Sequence, residues 1–188
     1  MFQGPLFIVG APRSGTSLLR DLLRQHPRIG IAPYETDFLP ILTRKQTQWG
    51  DLSEWQNFER FYQWALRFQY FKHFETEGGE IIEGERWHAA CERHDAAGIY
   101  EALVRHDGGS PLGSERIWGD KTPPYRLHLP LLKQLFPDSR FIHIIRDVRD
   151  VCLSSHSAWG KSMVRTAQIW ADETPICQEA GREMSPED

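Results

Sequence analysis

Apolar and polar positions divide this chain into short buried runs separated by amphipathic stretches. Leu6, Phe7, Ile8 and Val9 form an unbroken apolar run, the pattern of a strand covered on both faces. Gly10-Ala11-Pro12-Arg13-Ser14-Gly15 is too rich in glycine and proline to prolong it. Leu18, Leu19, Leu22 and Leu23 then recur at helical spacing until His26-Pro27 stops the helix. A second buried strand is predicted at 140–145 (RFIHII), followed by helices over 148–159 and 163–180. Residues 29–31 and 116–119 are shorter strand candidates. Between them the pattern predicts a short helix near Pro40, one long helix over 53–74 with Ser53 as N-cap, and a Gly- and Glu-rich loop over 76–85. It continues with a helix over 87–105, a loop over 106–114, a turn over 120–124 and a helix over 125–135. Phe58, Phe61, Trp64 and Phe71 make the 53–74 stretch dense in aromatics, which serve either as core or as the wall of an acceptor pocket.

Strand–helix alternation predicts an α/β fold with a mostly parallel central sheet, and such sheets hold ligands beyond the C-terminal ends of their strands. Both long strands run into arginines there, Arg13 and Arg146, which suggests a ligand with two separate anionic groups. The spacing from Gly10 to Gly15 is that of a phosphate-binding loop, in which free N–H groups and the positive helix end face one point. An ATP or GTP site would place lysine directly after the second glycine. Thr16 stands there instead.

Composition narrows this picture. With 188 residues and 40% hydrophobic residues the chain can build a core, and a single domain over 1–188 is expected. A net charge of −4 argues against a non-specific nucleic-acid binder but leaves room for a local basic pocket. Cys91, Cys152 and Cys177 lack metal-ligand spacing and read as free thiols of a reducing compartment. No signal-peptide core or membrane-spanning run is visible, so the expectation is a soluble cytoplasmic protein without a membrane partner. Arg149 and Asp150 read as helix-surface ion pairs, and His26 and His143 as structural histidines.

Four segments, in order from Leu6 to about Ser155, carry a family resemblance. FIVGAPRSGTSLLRDLLRQHP resembles the 5'-phosphosulfate loop of sulfotransferases that use 3'-phosphoadenosine 5'-phosphosulfate (PAPS). HPRIGIAPYETDFLP resembles the segment bearing a catalytic glutamate, and GDKTPPY resembles the lysine segment of the carbohydrate and tyrosylprotein branch. FIHIIRDVRDVCLSS resembles the 3'-phosphate motif, an arginine at the strand end and a serine eight residues on. The resemblance implies a P-loop-like three-layer α/β/α fold. It also implies sulfuryl transfer from PAPS to a hydroxyl, or an amine, of a carbohydrate, tyrosyl or small-molecule acceptor.

By the same resemblance Gly10, Ser14, Gly15, Thr16 and Ser17 hold the 5'-phosphate, Arg13 the phosphosulfate and the group in transfer, and Arg146 and Ser154 the 3'-phosphate. Lys121 neutralises charge on the leaving bisphosphate, and Glu35 is the general base, with Asp37 as the neighbouring alternative. The cytosolic branch has a histidine base shortly after its lysine; here Thr122-Pro123-Pro124 follow. Thr16 fits a donor with no γ-phosphate, and no metal is expected. The helices over 53–74 and 87–105 would enclose the acceptor. Two rivals stay open: a degenerate P-loop kinase or nucleotide-binding protein using ATP and Mg²⁺, and a non-catalytic nucleotide-binding module. Family members continue past the last helix with further strands and a basic segment, whereas residues 181–188 are polar, so the domain is expected to be incomplete at its C-terminal end.

Overall fold

The computed structural model describes residues 2–184. Among the described residues four strands form one sheet: β1 (Leu6–Gly10), β2 (Ile29–Ile31), β3 (Ile117–Lys121) and β4 (Arg140–Ile144). The order is β2-β3-β1-β4 and every pairing is parallel, with Leu6 opposite Gly119 on one side and Arg140 on the other. Gly119 is required where β3 approaches β1, because a Cβ there would lie 2.2 Å from the Leu6 carbonyl oxygen. The helices are α1 (Thr16–Arg24), α2 (Leu39–Lys45), α3 (Trp55–Ala65), α4 (Gln69–Glu77), α5 (Gly84–Ala90), α6 (Ala96–Asp107), α7 (Leu129–Leu135), α8 (Val148–Trp159) and α9 (Met163–Arg182). Among the described residues, no helix is long and apolar enough to cross a membrane. The expected α/β class with a parallel sheet is what the chain forms.

The helix expected over 53–74 is two helices. Arg67 N–H bonds to the Trp64 carbonyl and Phe68 N–H to that of Ala65, closures that tighten and end α3. Packing explains the break. A straight helix would hold Phe58 and Phe71 about 20 Å apart, yet their rings lie 5.7 and 5.8 Å from the ring of buried Trp87. The helix expected over 87–105 is also two. Asp95 caps α6 by accepting from Gly98 N–H at 2.8 Å, which ends the preceding segment in extended backbone at Cys91. The 76–85 loop likewise contains the end of α4 and the start of α5.

Asp120 and Lys121, expected in a turn, are the last two residues of β3. The helix expected over 125–135 begins as a 3-10 turn (Pro123–Leu127) and restarts at Leu129, because Pro130 disfavours a continuous helical backbone. One aromatic core joins helices α2 to α6 to the sheet face that carries Phe7, Trp118 and Asp120. Phe136 meets Phe7, Tyr100 and Trp118 there, while α1 packs on β1, β2 and β3.

Candidate active site

The β1–α1 loop is shaped by two left-handed residues, Arg13 at φ 70° and Gly15 at φ 100°. Such a turn gathers backbone N–H groups into an anion-binding concavity. Gly10 admits β4: a Cβ there would stand 2.6 Å from the Ile144 carbonyl oxygen. The N-terminus of α1 has no side-chain cap and no acidic residue in its first turn, so its N–H groups and dipole favour an anion. Ser14 is buried and its hydroxyl has no hydrogen-bond partner in the protein, which leaves it to ordered water or a bound group.

Sequence positions far apart meet at this loop. Arg13 Nε donates to Ser154 Oγ at 3.0 Å, and Arg146 Nη1 donates to the Arg13 carbonyl at 3.1 Å. Arg13, Gly15, Thr16, Ser17, Glu35, Arg146 and Ser154 line one cavity of about 400 Å³, together with Pro123, Pro124, Trp159 and Lys161. Three cations face one carboxylate there, although the chain is acidic overall. This donor set suits a polyanionic nucleotide.

Trp159 and Lys161 were not signalled by the sequence pattern. Arg13 stands 5.2 Å from the centre of the Trp159 ring and Lys161 Nζ 4.4 Å from it. Gly160, left-handed at φ 64°, ends α8 and turns Lys161 back. That glycine after an aromatic was the available cue. A second cavity of about 280 Å³ adjoins the first, sharing Pro12, Trp159 and Lys161, and is walled by Val151, Ile169 and Trp170.

Glu35 and Lys121 form the other end of the site. Lys121 Nζ donates to Glu35 Oε1 at 2.5 Å. The Lys121 side chain is 2% exposed and that of Glu35 45%, so Glu35 lies on the cavity wall and Lys121 behind it. A buried ammonium requires such a partner. The Glu35 loop is tied down on both sides: Arg20 Nη1 donates to the Pro33 carbonyl at 2.5 Å, and Thr36 N–H donates to Thr122 Oγ1 at 2.9 Å.

Beneath this pair lies buried Asp120, which points the opposite way from Lys121 along β3. Tyr100 OH and Thr36 Oγ1 both bond to Asp120 Oδ2, at 3.0 and 3.1 Å, and Tyr125 OH lies 2.8 Å from Thr36 Oγ1. Burial pushes the Asp120 carboxyl up to about 6, against the pull of bonds from Thr122, Tyr100 and Thr36 and of the Lys121 charge. Asp37, the alternative base, is held at φ 51°; burial and then the Glu35 charge raise its pKa.

Other expectations fare as follows. Arg149 pairs with Asp147 at 2.6 Å and pulls that carboxyl to about 2, while Asp150 pairs instead with Arg146 at 3.5 Å. His26 Nδ1 accepts from Arg28 N–H, and burial then Arg126 lower the His143 pKa. The aromatics of α3, α4 and α6 do not line the Arg13–Glu35 cavity. Phe58, Phe61, Tyr70, Phe71 and Tyr100 are core residues.

Comparison with known proteins agrees with this architecture. The profile described as "Sulfotransferase family" matches residues 5–186. Protein-tyrosine sulfotransferase A of Caenorhabditis elegans is 29% identical over 146 residues, covering 77% of this chain and 30% of that protein. Nodulation protein NoeE of Sinorhizobium fredii is 29% identical over 164 residues, covering 84% of this chain and 32% of that protein. The chain thus spans about a third of these curated relatives. Among solved structures, the sulfotransferase domain of the Synechococcus PCC 7002 olefin synthase superposes with a TM-score of 0.58 at 24% identity, over 98% of this chain and 64% of that one. The sulfotransferase domain from the curacin biosynthetic pathway gives 0.52 at 20% identity, over 98% and 65%.

Proposed function

The chain belongs to the sulfotransferase family, and we propose that its cleft transfers a sulfuryl group from PAPS to a hydroxyl, or an amine, of an acceptor. One observation carries this reading. Arg13, Arg146 and Ser154 converge on the open N-terminus of α1, and the cavity they line there reaches Glu35. The loop and α1 hold the 5'-phosphosulfate through N–H groups, Ser14, Thr16 and Ser17; Arg146 and Ser154 hold the 3'-phosphate.

In the transfer, the acceptor oxygen forms a bond to sulfur as the bond from sulfur to the bridging phosphate oxygen breaks. Glu35 takes the acceptor proton. Lys121 and Arg13 neutralise the charge that grows on the departing adenosine 3',5'-bisphosphate. Lys121 occupies only Oε1 of Glu35, so Oε2 is left to accept from the acceptor hydroxyl while Lys121 holds the carboxylate in place. The acceptor class is a carbohydrate, a tyrosyl residue or a small molecule. Its body fits against Pro123, Pro124 and Trp159, with the adjoining cavity beside Ile169 and Trp170 as an apolar extension.

Calorimetry with adenosine 3',5'-bisphosphate in the presence of a chelator tests the donor assignment. Binding without metal is expected, weakened about 10- to 100-fold in Arg146→Ala, the worth of a charge-assisted contact. Binding of ATP only with Mg²⁺, and none of the bisphosphate, would overturn it in favour of a kinase-like protein. Transfer of labelled sulfuryl groups across a panel of sugars, tyrosyl peptides and phenols then identifies the acceptor.

A further inference from the structure

We propose that Asp120 and Thr36 are positioning residues, which hold the Glu35 carboxylate on Lys121 through one directed chain of hydrogen bonds. The inference rests on the reading of Glu35 and Lys121 as the reacting pair. Its basis is donor and acceptor arithmetic. Leu39 N–H can only donate, and it meets Tyr125 OH at 3.3 Å. Thr36 Oγ1 gives its one proton to Asp120 Oδ2 at 3.1 Å and so accepts from Tyr125 OH at 2.8 Å. Tyr100 OH donates to the same oxygen at 3.0 Å. Each hydroxyl has one proton to give, so the Asp120 carboxylate, which can only accept, sets the direction back through Thr36 and Tyr125 to Leu39 N–H.

The chain joins the two elements whose meeting makes the site. Thr36 is the residue after Glu35 and Asp120 the residue before Lys121. The Thr36–Asp120 bond therefore runs parallel to the Glu35–Lys121 bond, on the other side of the backbone. Thr36 N–H, bonded to Thr122 Oγ1, adds a third tie between the same two segments. Thr36, Asp120 and Thr122 are all fully buried, so water cannot replace these bonds. None of these three residues lines the Arg13–Glu35 cavity, which makes their role indirect.

The test compares Thr36→Val, which removes the hydroxyl at nearly constant volume, with Thr36→Ser, which keeps it. Cooperative unfolding of both variants is checked first. Thr36→Val is expected to lose roughly 10- to 100-fold in kcat, the scale of a misplaced reacting group. Its affinity for adenosine 3',5'-bisphosphate should stay within about threefold of wild type, and Thr36→Ser should recover most of the turnover. A readout independent of turnover is acylation of Lys121 by an amine-reactive probe, followed by mass spectrometry. Lys121 should stay protected in the unsubstituted chain and in Thr36→Ser, and become labelled in Thr36→Val. Equal protection in all three proteins would overturn the inference, as would a Thr36→Val protein with unchanged kcat. Absence of bisphosphate binding by the unsubstituted chain would instead strike the donor assignment, while the labelling pattern still decides the role of Thr36.

Discussion

At the proposed donor end of the cleft the polar groups stand in the open. Arg13 is exposed, Arg146 is 41% exposed, and single hydrogen bonds tie the Arg13 loop to Arg146 after β4 and to Ser154 on α8. At the proposed reacting end Lys121 and Asp120 are buried; Lys121 is paired with Glu35, and Asp120 Oδ2 accepts from Thr36 and Tyr100. The contrast follows from what each end must do. A nucleotide can bring its own charge to an open cationic cradle, whose geometry is set by backbone turns and a helix start. A proton transfer needs two side chains held to within a fraction of an ångström, and only a packed, fully bonded surround supplies that.

The sharpest break between the two ends is Lys121→Met. Methionine retains most of the buried stem, and Glu35, being half-exposed, is solvated once its partner is gone. We expect kcat to fall about 10²- to 10³-fold, while the affinity for adenosine 3',5'-bisphosphate changes less than about threefold. Steady-state kinetics beside calorimetry checks this. Loss of both quantities together would mean that the two ends are one unit.

Asp120 separates them through pH. Its folded pKa of about 6 lies above that of an unfolded aspartate, so between about pH 4 and 6 the folded chain keeps a proton that the unfolded chain has released. Stability from this group is complete below about pH 4 and is lost as pH rises through about 6. The surrounding groups are Lys121 on its own strand, Thr36 and Thr122 in the flanking loops, Tyr100 on α6 and Tyr125 in the 3-10 turn; only Lys121 is charged near neutrality. Asp120→Asn should remove this slope and gain on the order of 2 kcal/mol at pH 7.5, some 4–8 °C in Tm. Thermal melts from pH 4 to 8 read it directly. An unaltered slope in Asp120→Asn would assign the proton to another group.

The two ends also differ in how far they could be read from the sequence. The donor loop lies within a dozen residues, and its glycines, arginine and helix start each have a local physical meaning. Lys121 and Glu35 are 86 residues apart, and no local pattern joins them; only the family resemblance placed them together. Thr36, Tyr100 and Tyr125 went unnoticed because a hydroxyl has no periodic signature. Asp120-Lys121-Thr122 reads as a turn because buried strands are seldom so polar, yet here Asp120 and Thr122 meet buried Thr36 and Lys121 meets Glu35 at the cavity wall. The helix break at residues 66–68 carries no glycine or proline and is imposed by ring packing around Trp87. Asp95, by contrast, is an ordinary N-cap that the loose apolar periodicity of the 87–105 stretch concealed.

The smallest expected effect falls on the open end. The Trp159 ring lies beside both Arg13 and Lys161, and it is half-exposed, so each cation–π contact is worth about 0.5–1 kcal/mol. Trp159→Ala leaves the Arg13 bond to Ser154 in place, so Arg13 is steadied less but not released. Bisphosphate affinity should fall two- to fivefold by the same ~0.5–1 kcal/mol, and Trp159→Phe should fall less, since phenylalanine keeps a smaller ring face. The ring also walls the second cavity, so an acceptor body seated there would add a rise in acceptor KM at saturating donor. A fall in bisphosphate affinity alone would assign Trp159 to the donor side. A rise in acceptor KM alone would remove Trp159 from the open donor end and leave it wholly to the acceptor surface that it forms with Ile169 and Trp170.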